Sequence, residues 1–212
     1  MDTIDKMDRF TIDSLEGLAR IYDRPVEGVL RKEADHITDV GRAFIAASPF
    51  LILATSSAAG LDCSPKGDGP GFVQLLDDRT LLIPDRPGNN RIDGMKNIIQ
   101  NPQVGIIFLV PGANETYRVN GRARISVDPA LLDRFVVQGK RPRAVIVVAV
   151  DQAFNHCPKA FVRSALWAVG ARGRPAGVPT TGTFAAVRDG KDAAYAAQYD
   201  ADYAVRMPKA LY

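Results

Sequence analysis

The sequence is poor in the residues that build disulfide frameworks, metal centres and hydrolytic sites. Its 212 residues include two cysteines and two histidines. Two cysteines are too few for a disulfide framework or a four-thiolate zinc site, and the nucleophile-elbow motif of a hydrolase is missing. We therefore expect no metal site, and the scarcity of cysteine favours a reducing, cytoplasmic compartment.

Long apolar runs and concentrated charge are also missing. No apolar segment reaches the roughly 18 residues of a membrane span, and the first residues are acidic rather than a basic leader. The 27 basic and 24 acidic residues are spread along the chain and give a formal charge of +3. Because a nucleic-acid-binding protein normally carries a concentrated basic stripe, small anionic molecules are better candidate ligands. We expect no membrane span and no nucleic-acid partner.

What the sequence does contain is a series of short apolar segments that predict β-strands. These strands are expected at residues 50–55, 61–64, 73–76, 80–83, 104–109, 117–126 and 144–150. Sequential strands with few helices between them favour a small antiparallel barrel over a parallel doubly wound sheet. The predicted fold class is therefore mainly β with peripheral helices (α+β).

Helical patterns flank and interrupt the predicted strands. Ser14 can cap a helix that ends before Pro25. Other helices are expected around residues 40–45, 91–100, 129–136 and 191–203. These patterns predict an N-terminal helical extension at residues 1–48, a barrel domain at 49–172 and a peripheral C-terminal extension at 173–212.

Three groups of polar residues interrupt the apolar strands. They are Ser64-Pro65-Lys66-Gly67, the run from Asp85 to Arg91, and the run from Glu115 to Gly121. Arginine matches phosphate oxygens bidentately, and Gly88 allows the backbone to approach a ligand closely. A helix that begins near Arg91 adds a favourable dipole for an anion. An ordinary surface turn with solvated arginines is the alternative interpretation of the second group.

The order of these segments resembles a known family. The run from Asn101 to Phe108, followed after a loop by Thr116 to Ser126, resembles the FMN-binding split barrel of the pyridoxamine 5'-phosphate oxidase superfamily. The resemblance extends upstream through Arg91 to Lys66 and covers about residues 37–167. It implies a six- to seven-stranded antiparallel split barrel of the FMN-binding type, and a homodimer with shared cofactor sites.

The resemblance also implies which residues contact FMN. Arg86, Asn89, Asn90 and Arg91 would hold the phosphate. Ser64 and Lys66 would lie along the flavin ring, where Lys66 could stabilise negative charge on the reduced ring or hold an anionic substrate. Without the family, Ser64-Pro65-Lys66-Gly67 is interpreted simply as the end of an edge strand.

The third polar group and a later segment complete the implied site. Thr116 matches a family position that reaches the ring, and Arg118 would share its strand face, although a surface salt bridge between Glu115 and Arg118 is equally compatible.

A region near Lys159, Arg163, Ser164 and Trp167 of the partner subunit would cover the flavin. Lys159, Arg163 and Trp167 would share one helix face if Pro158 begins that helix. A core or interface role for Trp167 is the favoured alternative.

These observations predict an FMN-dependent oxidoreductase that transfers a hydride between a small substrate and the flavin. A non-catalytic protein that binds or stores a flavin, a deazaflavin or haem remains the alternative. The pairs Arg141-Pro142-Arg143 and Arg172-Gly173-Arg174 are the sole sign of a nucleic-acid adaptor. True pyridoxamine-phosphate oxidases bind substrate through a C-terminal arginine and histidine, and this chain has no histidine after Trp167. Oxidation of vitamin B6 itself is therefore not expected.

Overall fold

The computed structural model describes residues 10–170, 175 and 177–212. The chain divides into two compact units, Met1–Glu33 and Ala34–Tyr212. This division lies upstream of the expected boundary at 48/49, because the helix formed by Asp39–Ala47 belongs to the second unit. The expected boundary at 172/173 and the pair Arg172-Gly173-Arg174 lie outside the described residues.

The first unit contains two short helices, α1 (Leu15–Ala19) and α2 (Glu27–Leu30). Ser14 caps α1, as predicted, because its Oγ accepts a hydrogen bond from the Gly17 N–H at 3.1 Å.

The second unit is built around a seven-stranded antiparallel sheet in the order β2-β1-β5-β6-β7-β4-β3. Its strands are β1 (Phe50–Ser57), β2 (Gly60–Gly67), β3 (Gln74–Asp77), β4 (Thr80–Pro84), β5 (Gln103–Leu109), β6 (Thr116–Ser126) and β7 (Val145–His156). Every pairing between neighbouring strands is antiparallel. The predicted strand number and sheet type are therefore confirmed.

Helices accompany the sheet within this unit. They are α3 (Asp39–Ala47), α4 (Asp93–Gln100), α5 (Pro129–Leu132), α6 (Lys159–Ser164), α7 (Leu166–Gly170), α8 (Thr181–Asp189) and α9 (Ala193–Arg206). The helix predicted within residues 191–203 corresponds to α9. The sequence pattern did not reveal α8, whose buried residues against α9 are the small Gly182, Ala185 and Ala186.

The sheet curls so that its inner face encloses one apolar core. Residues directly opposite each other on paired strands share a face, and Leu51 and Leu53 of β1 are buried while Phe50 and Ala54 are exposed. Inward-facing residues of β1, β4, β5, β6 and β7 all join a single cluster with Ile45 of α3. A smaller cluster lies on the outer face of the sheet, where Leu82 of β4 packs with Phe135 and with Val145 and Val147 of β7. Leu131 and Leu132 of α5 pack against this cluster. Burial in these two clusters is the main stabilising contribution to the fold.

The last strand is longer than predicted. The sequence indicated an end at Val150, whereas β7 continues to His156 because it stays paired with β6. A bulge between Asn120 and Gly121 shifts the register by one residue and lets the pairing continue as far as Thr116 with His156. Most residues after Val150 are polar, so the apolar pattern that marks the first half of the strand is absent.

Candidate functional site

A groove of about 750 Å³ lies on the inner face of the sheet, between β2 and the residues that follow β4. Six of the residues predicted to bind a cofactor line this groove: Ser64, Lys66, Arg86, Asn89, Asn90 and Arg91. Buried apolar side chains also line it, namely Leu53, Phe72 and Ile146. The groove therefore combines a charged rim with an apolar wall, as small-molecule sites commonly do.

Strand register places the β2 residues in the groove. Ser64 pairs with Leu53 and Lys66 pairs with Leu51, and both leucines belong to the buried inner face of β1. Ser64 and Lys66 therefore face inward, whereas Cys63 faces outward and is exposed.

Two ion pairs connect the end of β2 with the end of β4 across the opening of the curled sheet. The Lys66 Nζ lies 3.3 Å from the Asp85 Oδ1, and the Arg86 Nε lies 2.6 Å from the Asp68 Oδ2. Since β2 lies at one end of the strand order and β4 near the other, these pairs hold the two ends of the sheet together. The groove lies at this junction, which we call the seam.

Arg86 is held by several neighbours at the seam. In addition to Asp68, its Nη1 donates to the Phe135 carbonyl at 2.7 Å. The guanidinium also lies 5.6 Å from the centre of the Tyr212 ring. The two hydrogen bonds use two of the five N–H groups of the guanidinium, and Arg86 also lines the groove.

The loop after β4 adopts an unusual backbone conformation where it borders the groove. Asn90 and Ile92 have φ angles of +59° and +48°, and Ile92 is β-branched, so this conformation costs on the order of 1–3 kcal/mol. The Asn89 Oδ1 accepts a hydrogen bond from the Arg91 N–H at 3.0 Å, and the Arg143 Nη1 donates to the Asn90 Oδ1 at 2.9 Å. These contacts hold the loop in a shape that brings several donors to one rim.

Helix α4 follows this loop and is anchored to β1. The Asn97 Nδ2 donates to the Thr55 Oγ1 at 3.2 Å, while the Ser57 Oγ donates to the Asn97 Oδ1 at 2.7 Å. Asn97 and Thr55 are buried. The pair therefore fixes the position of α4 and of its first turn, which lines the groove.

A carboxylate already lies near the first turn of α4. The Ser64 Oγ donates to the Asp62 Oδ2 at 2.6 Å, and a Cβ added to Gly94 would lie 2.9 Å from the same oxygen. The favourable helix dipole predicted for a phosphate therefore also acts on Asp62. The groove lining holds four basic residues, Lys66, Arg86, Arg91 and Arg143, and three carboxylates, Asp62, Asp85 and Asp93.

Hydrogen bonding lowers the pKa of two carboxyls near the groove, Asp68 and Asp93. Burial opposes the charge of Asp68, but hydrogen bonds from Tyr212, the Gly69 N–H and Arg86 outweigh it and lower the pKa of this carboxyl. Asp93 has a lowered pKa because Arg91 and Lys96 donate to it. The Arg91 pKa is raised by the same contact with Asp93. The basic residues of the rim are therefore partly neutralised in the free protein.

Two other predicted residues lie on the opposite face of the sheet. Thr116 pairs with Leu109 and Arg118 with Ile107, positions that continue the outer face of β1 and β5. Thr116 is buried, and Arg118 lines a shallow depression of about 430 Å³ with residues such as Ala54 and Gly105. Thr116 and Arg118 share one strand face, as predicted, but neither of them lines the groove of the same chain.

Arg118 has partners on this outer face. Its Nε donates to the Asn120 Oδ1 at 3.3 Å, and its guanidinium lies 5.7 Å from the centre of the Phe154 ring. The Asn120 Nδ2 in turn donates to the Gln152 Oε1 at 2.8 Å. The local contacts of Arg118 therefore differ from the predicted alternative of a salt bridge with Glu115.

The prediction that Lys159, Arg163 and Trp167 share one helix face is wrong. Pro158 does precede a helix, α6, but Ala165 adopts a left-handed conformation with φ +47° and ends it. Trp167 therefore lies in the next helix, α7, where its Nε1 donates to the Ala113 carbonyl at 2.6 Å and its ring stacks on Phe161. This favours the structural interpretation of Trp167 within its own chain.

The basic residues of α6 are separate from the groove as well. Lys159, Arg163 and Ser164 are exposed, and the Ser164 Oγ donates to the Phe161 carbonyl. None of the three lines the groove of the described residues. Their contact with a cofactor of a partner subunit stays a prediction.

The sequence analysis missed several residues of the seam. Arg143 precedes β7 and was noted only as part of a basic pair, Asp85 was named only as the first residue of a polar run, and Asp62 and Asp68 were not singled out. Their position next to the predicted residues Ser64 and Arg86 was the only available signal. Tyr212 was missed because it follows the strands by more than fifty residues.

Residues 37–157 match the family model described as pyridoxamine 5'-phosphate oxidase. This match spans more than half of the chain and includes every strand of the sheet. The chain belongs to the pyridoxamine 5'-phosphate oxidase family. Its antiparallel sheet with peripheral helices is thus the split barrel that the sequence indicated.

Three solved structures illustrate how far this family resemblance extends. A tagged variant of HupZ from Group A Streptococcus is 25% identical over 57% of this chain and 99% of its own, with a TM-score of 0.47. A candidate pyridoxamine 5'-phosphate oxidase from Lactobacillus delbrueckii is 19% identical over 57% of this chain and 95% of its own, with a TM-score of 0.46.

The third, an FMN-binding protein from Syntrophomonas wolfei, is 14% identical and has a TM-score of 0.44. It covers 74% of this chain and 98% of its own. No curated protein matches the chain. Since all three TM-scores lie below 0.5, membership of the family depends on the match over residues 37–157.

The described residues contain neither a candidate metal centre nor a candidate membrane span. In residues 10–170, 175 and 177–212, histidine, cysteine and acidic side chains form no group of three or more that could hold a metal ion. None of the helices in these same ranges has the length and apolar character to cross a membrane.

Proposed function

We propose that this protein binds FMN in the seam groove and uses it as an oxidoreductase that acts on a small substrate. The observation that carries the proposal is the convergence of Ser64, Lys66 and the 86–91 loop in one groove of a family barrel. The volume of the groove, about 750 Å³, lies within the range of about 300–1,000 Å³ typical of small-molecule sites.

The chemistry of the groove fits a phosphorylated ring compound. Arg86 and Arg91 supply the guanidinium groups, and Asn89 and Asn90 supply amide groups, all suited to phosphate oxygens. The apolar wall formed by Leu53, Phe72 and Ile146 is suited to a flat ring. When bound, FMN supplies the hydride chemistry, and the groove residues bind and orient it.

Lys66 has two possible tasks in this arrangement. In the free protein its ammonium group contacts the half-buried Asp85. An anionic ligand would compete with Asp85 for this ammonium group, and negative charge on a reduced ring would strengthen the attraction. Lys66 therefore orients and stabilises the ligand, while Asp85 keeps the ammonium group in place when the groove is free.

We also include a homodimer in the proposal. The outer face of β1, β2 and β5 exposes the apolar side chains Phe50, Leu61 and Ile107. A second copy that covers this face would bury apolar surface and would bring Thr116 and Arg118 into the assembly. Sedimentation analysis should therefore give the mass of a dimer, and a purely monomeric protein that binds FMN normally would contradict this part.

The first experiment is a visible spectrum of the purified protein, followed by a titration with FMN. We expect a flavin spectrum or saturable binding of added FMN. Arg91→Ala should weaken FMN binding about tenfold, because the phosphate loses a charge-assisted contact. Arg188→Ala is the matched control, since Arg188 is also exposed and paired with a nearby aspartate, Asp189. A protein that stays colourless and binds no FMN would refute the proposal.

The second experiment separates an enzyme from a binding protein. The FMN complex is mixed with NADH, NADPH or candidate donors without oxygen, and bleaching of the visible flavin band is recorded. Bleaching supports the oxidoreductase. Bound FMN that no donor reduces favours a storage or binding protein instead.

A further inference from the structure

The C-terminal segment reaches the rim of the groove, although it lies outside the residues that match the family model. Beyond α9, residues Met207–Ala210 form a 3-10 turn that leads to Tyr212. The Tyr212 hydroxyl donates to the Asp68 Oδ1 at 2.5 Å, and the Lys140 Nζ donates to the Tyr212 carbonyl at 2.8 Å. Side-chain and main-chain contacts thus hold this residue against the seam.

Asp68 joins Tyr212 to Arg86. One carboxylate oxygen accepts from Tyr212 and from the Gly69 N–H, while the other accepts from the Arg86 Nε at 2.6 Å. The Asp68 side chain is only 8% exposed, so each of these hydrogen bonds acts in a poorly hydrated place and is strengthened by it.

The Tyr212 ring also covers the arginine itself. The Arg86 guanidinium lies 5.6 Å from the centre of the ring, and its Nη1 is fixed by the Phe135 carbonyl. Of these residues Arg86 lines the groove, whereas Asp68 and Tyr212 do not. Any effect of Tyr212 on a ligand in the groove must therefore pass through Arg86.

We propose that Tyr212 is a positioning residue for the phosphate of the ligand: it holds Asp68, and through Asp68 it orients the Arg86 guanidinium towards a bound phosphomonoester. This inference rests on the proposed function. Without the Tyr212 hydroxyl, the Asp68 Oδ1 keeps only the hydrogen bond from the Gly69 N–H, and its vacant acceptor position can attract the guanidinium away from the groove. The bound phosphate would then lose part of a charge-assisted contact.

A tail that serves only to stabilise the fold would behave differently. Loss of a purely structural contact would weaken the binding of every ligand in the groove to a similar extent. Loss of an oriented arginine would weaken the binding of FMN but not of riboflavin, because riboflavin lacks the phosphate. The ratio of the two affinities therefore reports on positioning and not on stability.

The experiment compares wild type with Tyr212→Phe, which removes the hydroxyl and keeps the ring. FMN and riboflavin are titrated by flavin fluorescence. We expect wild type to bind FMN more tightly than riboflavin. In Tyr212→Phe the ratio of FMN affinity to riboflavin affinity should fall about fivefold, with riboflavin affinity unchanged. Tyr203→Phe is the control, since Tyr203 stacks on Tyr199 and is contacted by Arg206 within α9.

A second comparison tests whether the effect passes through Arg86. In an Arg86→Ala background, Tyr212→Phe should leave the ratio of affinities unchanged. The inference would be overturned if Tyr212→Phe alone left the ratio of FMN to riboflavin affinity unchanged, or if it lowered this ratio equally with and without Arg86. In either case, FMN binding by wild type would still support the proposed function. Wild type that binds neither flavin would refute both.

Discussion

The inner and outer faces of the curled sheet both carry polar residues, but in different surroundings. On the inner face, Lys66 and Arg86 are largely buried, lie beside carboxylates and border an apolar wall. On the outer face, Arg118 lies in a shallow depression next to exposed apolar residues such as Ile107. The first arrangement is a candidate site within one chain, whereas the second is an open surface.

The difference follows from the strand register. A residue's face is set by its parity along the strand, and a shift of one position exchanges the two faces. Lys66 and Arg118 lie on strands separated by β1 and β5, and the chain of pairings assigns them to opposite faces. In the proposed homodimer, Lys66 of one copy and Arg118 of the other would contact the same cofactor.

The largest expected effect comes from a change that disturbs the pairing of β6 with β7, because both faces of the sheet depend on this pairing. A Cβ on Gly121 would lie 2.2 Å from the Ala149 carbonyl at the bulge of β6 and β7. Gly121→Ala should therefore destabilise the protein by about 3 kcal/mol, measured by urea unfolding. In Gly105→Ala the new Cβ would meet the Asn120 Oδ1 at 3.6 Å, so a loss below about 1 kcal/mol is expected. Similar losses of stability in the two variants would show that the close approach of Gly121 to the Ala149 carbonyl is not the cause.

A second prediction compares one cation from each face. Lys66→Met keeps most of the apolar stem but removes the charge, and it should weaken FMN binding about tenfold in a titration. Arg118→Ala should have a smaller effect, about threefold, because its contribution depends on the second copy. An equal effect of both changes would show that the outer face is as much a part of the site as the groove.

The smallest expected effect concerns the pH dependence of a carboxylate at the seam. The pKa of Asp68 is lowered in the folded protein, so its ionised form stabilises the fold above the unfolded pKa of about 3.9. Wild type should exceed Asp68→Asn in stability by about 1 kcal/mol at pH 7. This difference in the free energy of unfolding should decrease as the pH falls below about 4, and it should be lost once the pH lies below the lowered pKa of Asp68.

Urea unfolding of both proteins at pH 7 and pH 3 measures this difference. Asp151→Asn serves as the outer-face control, since Asp151 forms an exposed pair with Arg122 at 3.3 Å and should contribute less than about 0.5 kcal/mol. An advantage of Asp68 that is the same at both pH values would exclude an electrostatic origin.

Much of the sheet could be predicted because its signals are local. The sequences of β1 and β5 contain short apolar runs, and the turns that follow β1 and β3 contain glycine or paired aspartates. The second half of β7 could not be predicted, because polar residues there are kept in the strand by pairing with β6. The break at Ala165 also gave no signal, since alanine is the strongest helix former and no proline or glycine marks the end of α6.

The candidate site was predicted in part for the same reason. Residues of β2 and of the 86–91 loop stand close together in sequence and have the chemistry that a phosphate requires. Arg143 and Asp68 carried no such signal, because their importance depends on what the curl of the sheet brings beside them. Thr116 and Arg118 were placed on the correct shared strand face, but their separation from the groove depends on the pairing of four strands.

Apart from the second half of β7, the amino-acid sequence alone determined the strands, their antiparallel character and the types of polar group that interrupt them, because apolar runs and turn chemistry act over a few residues. The tertiary structure alone decided that β2 and β4 meet at the seam, that Asp68 links Arg86 to Tyr212, and that Arg118 lies on the other face. These relations depend on strand order and curvature, which arise when apolar faces from distant segments are buried together.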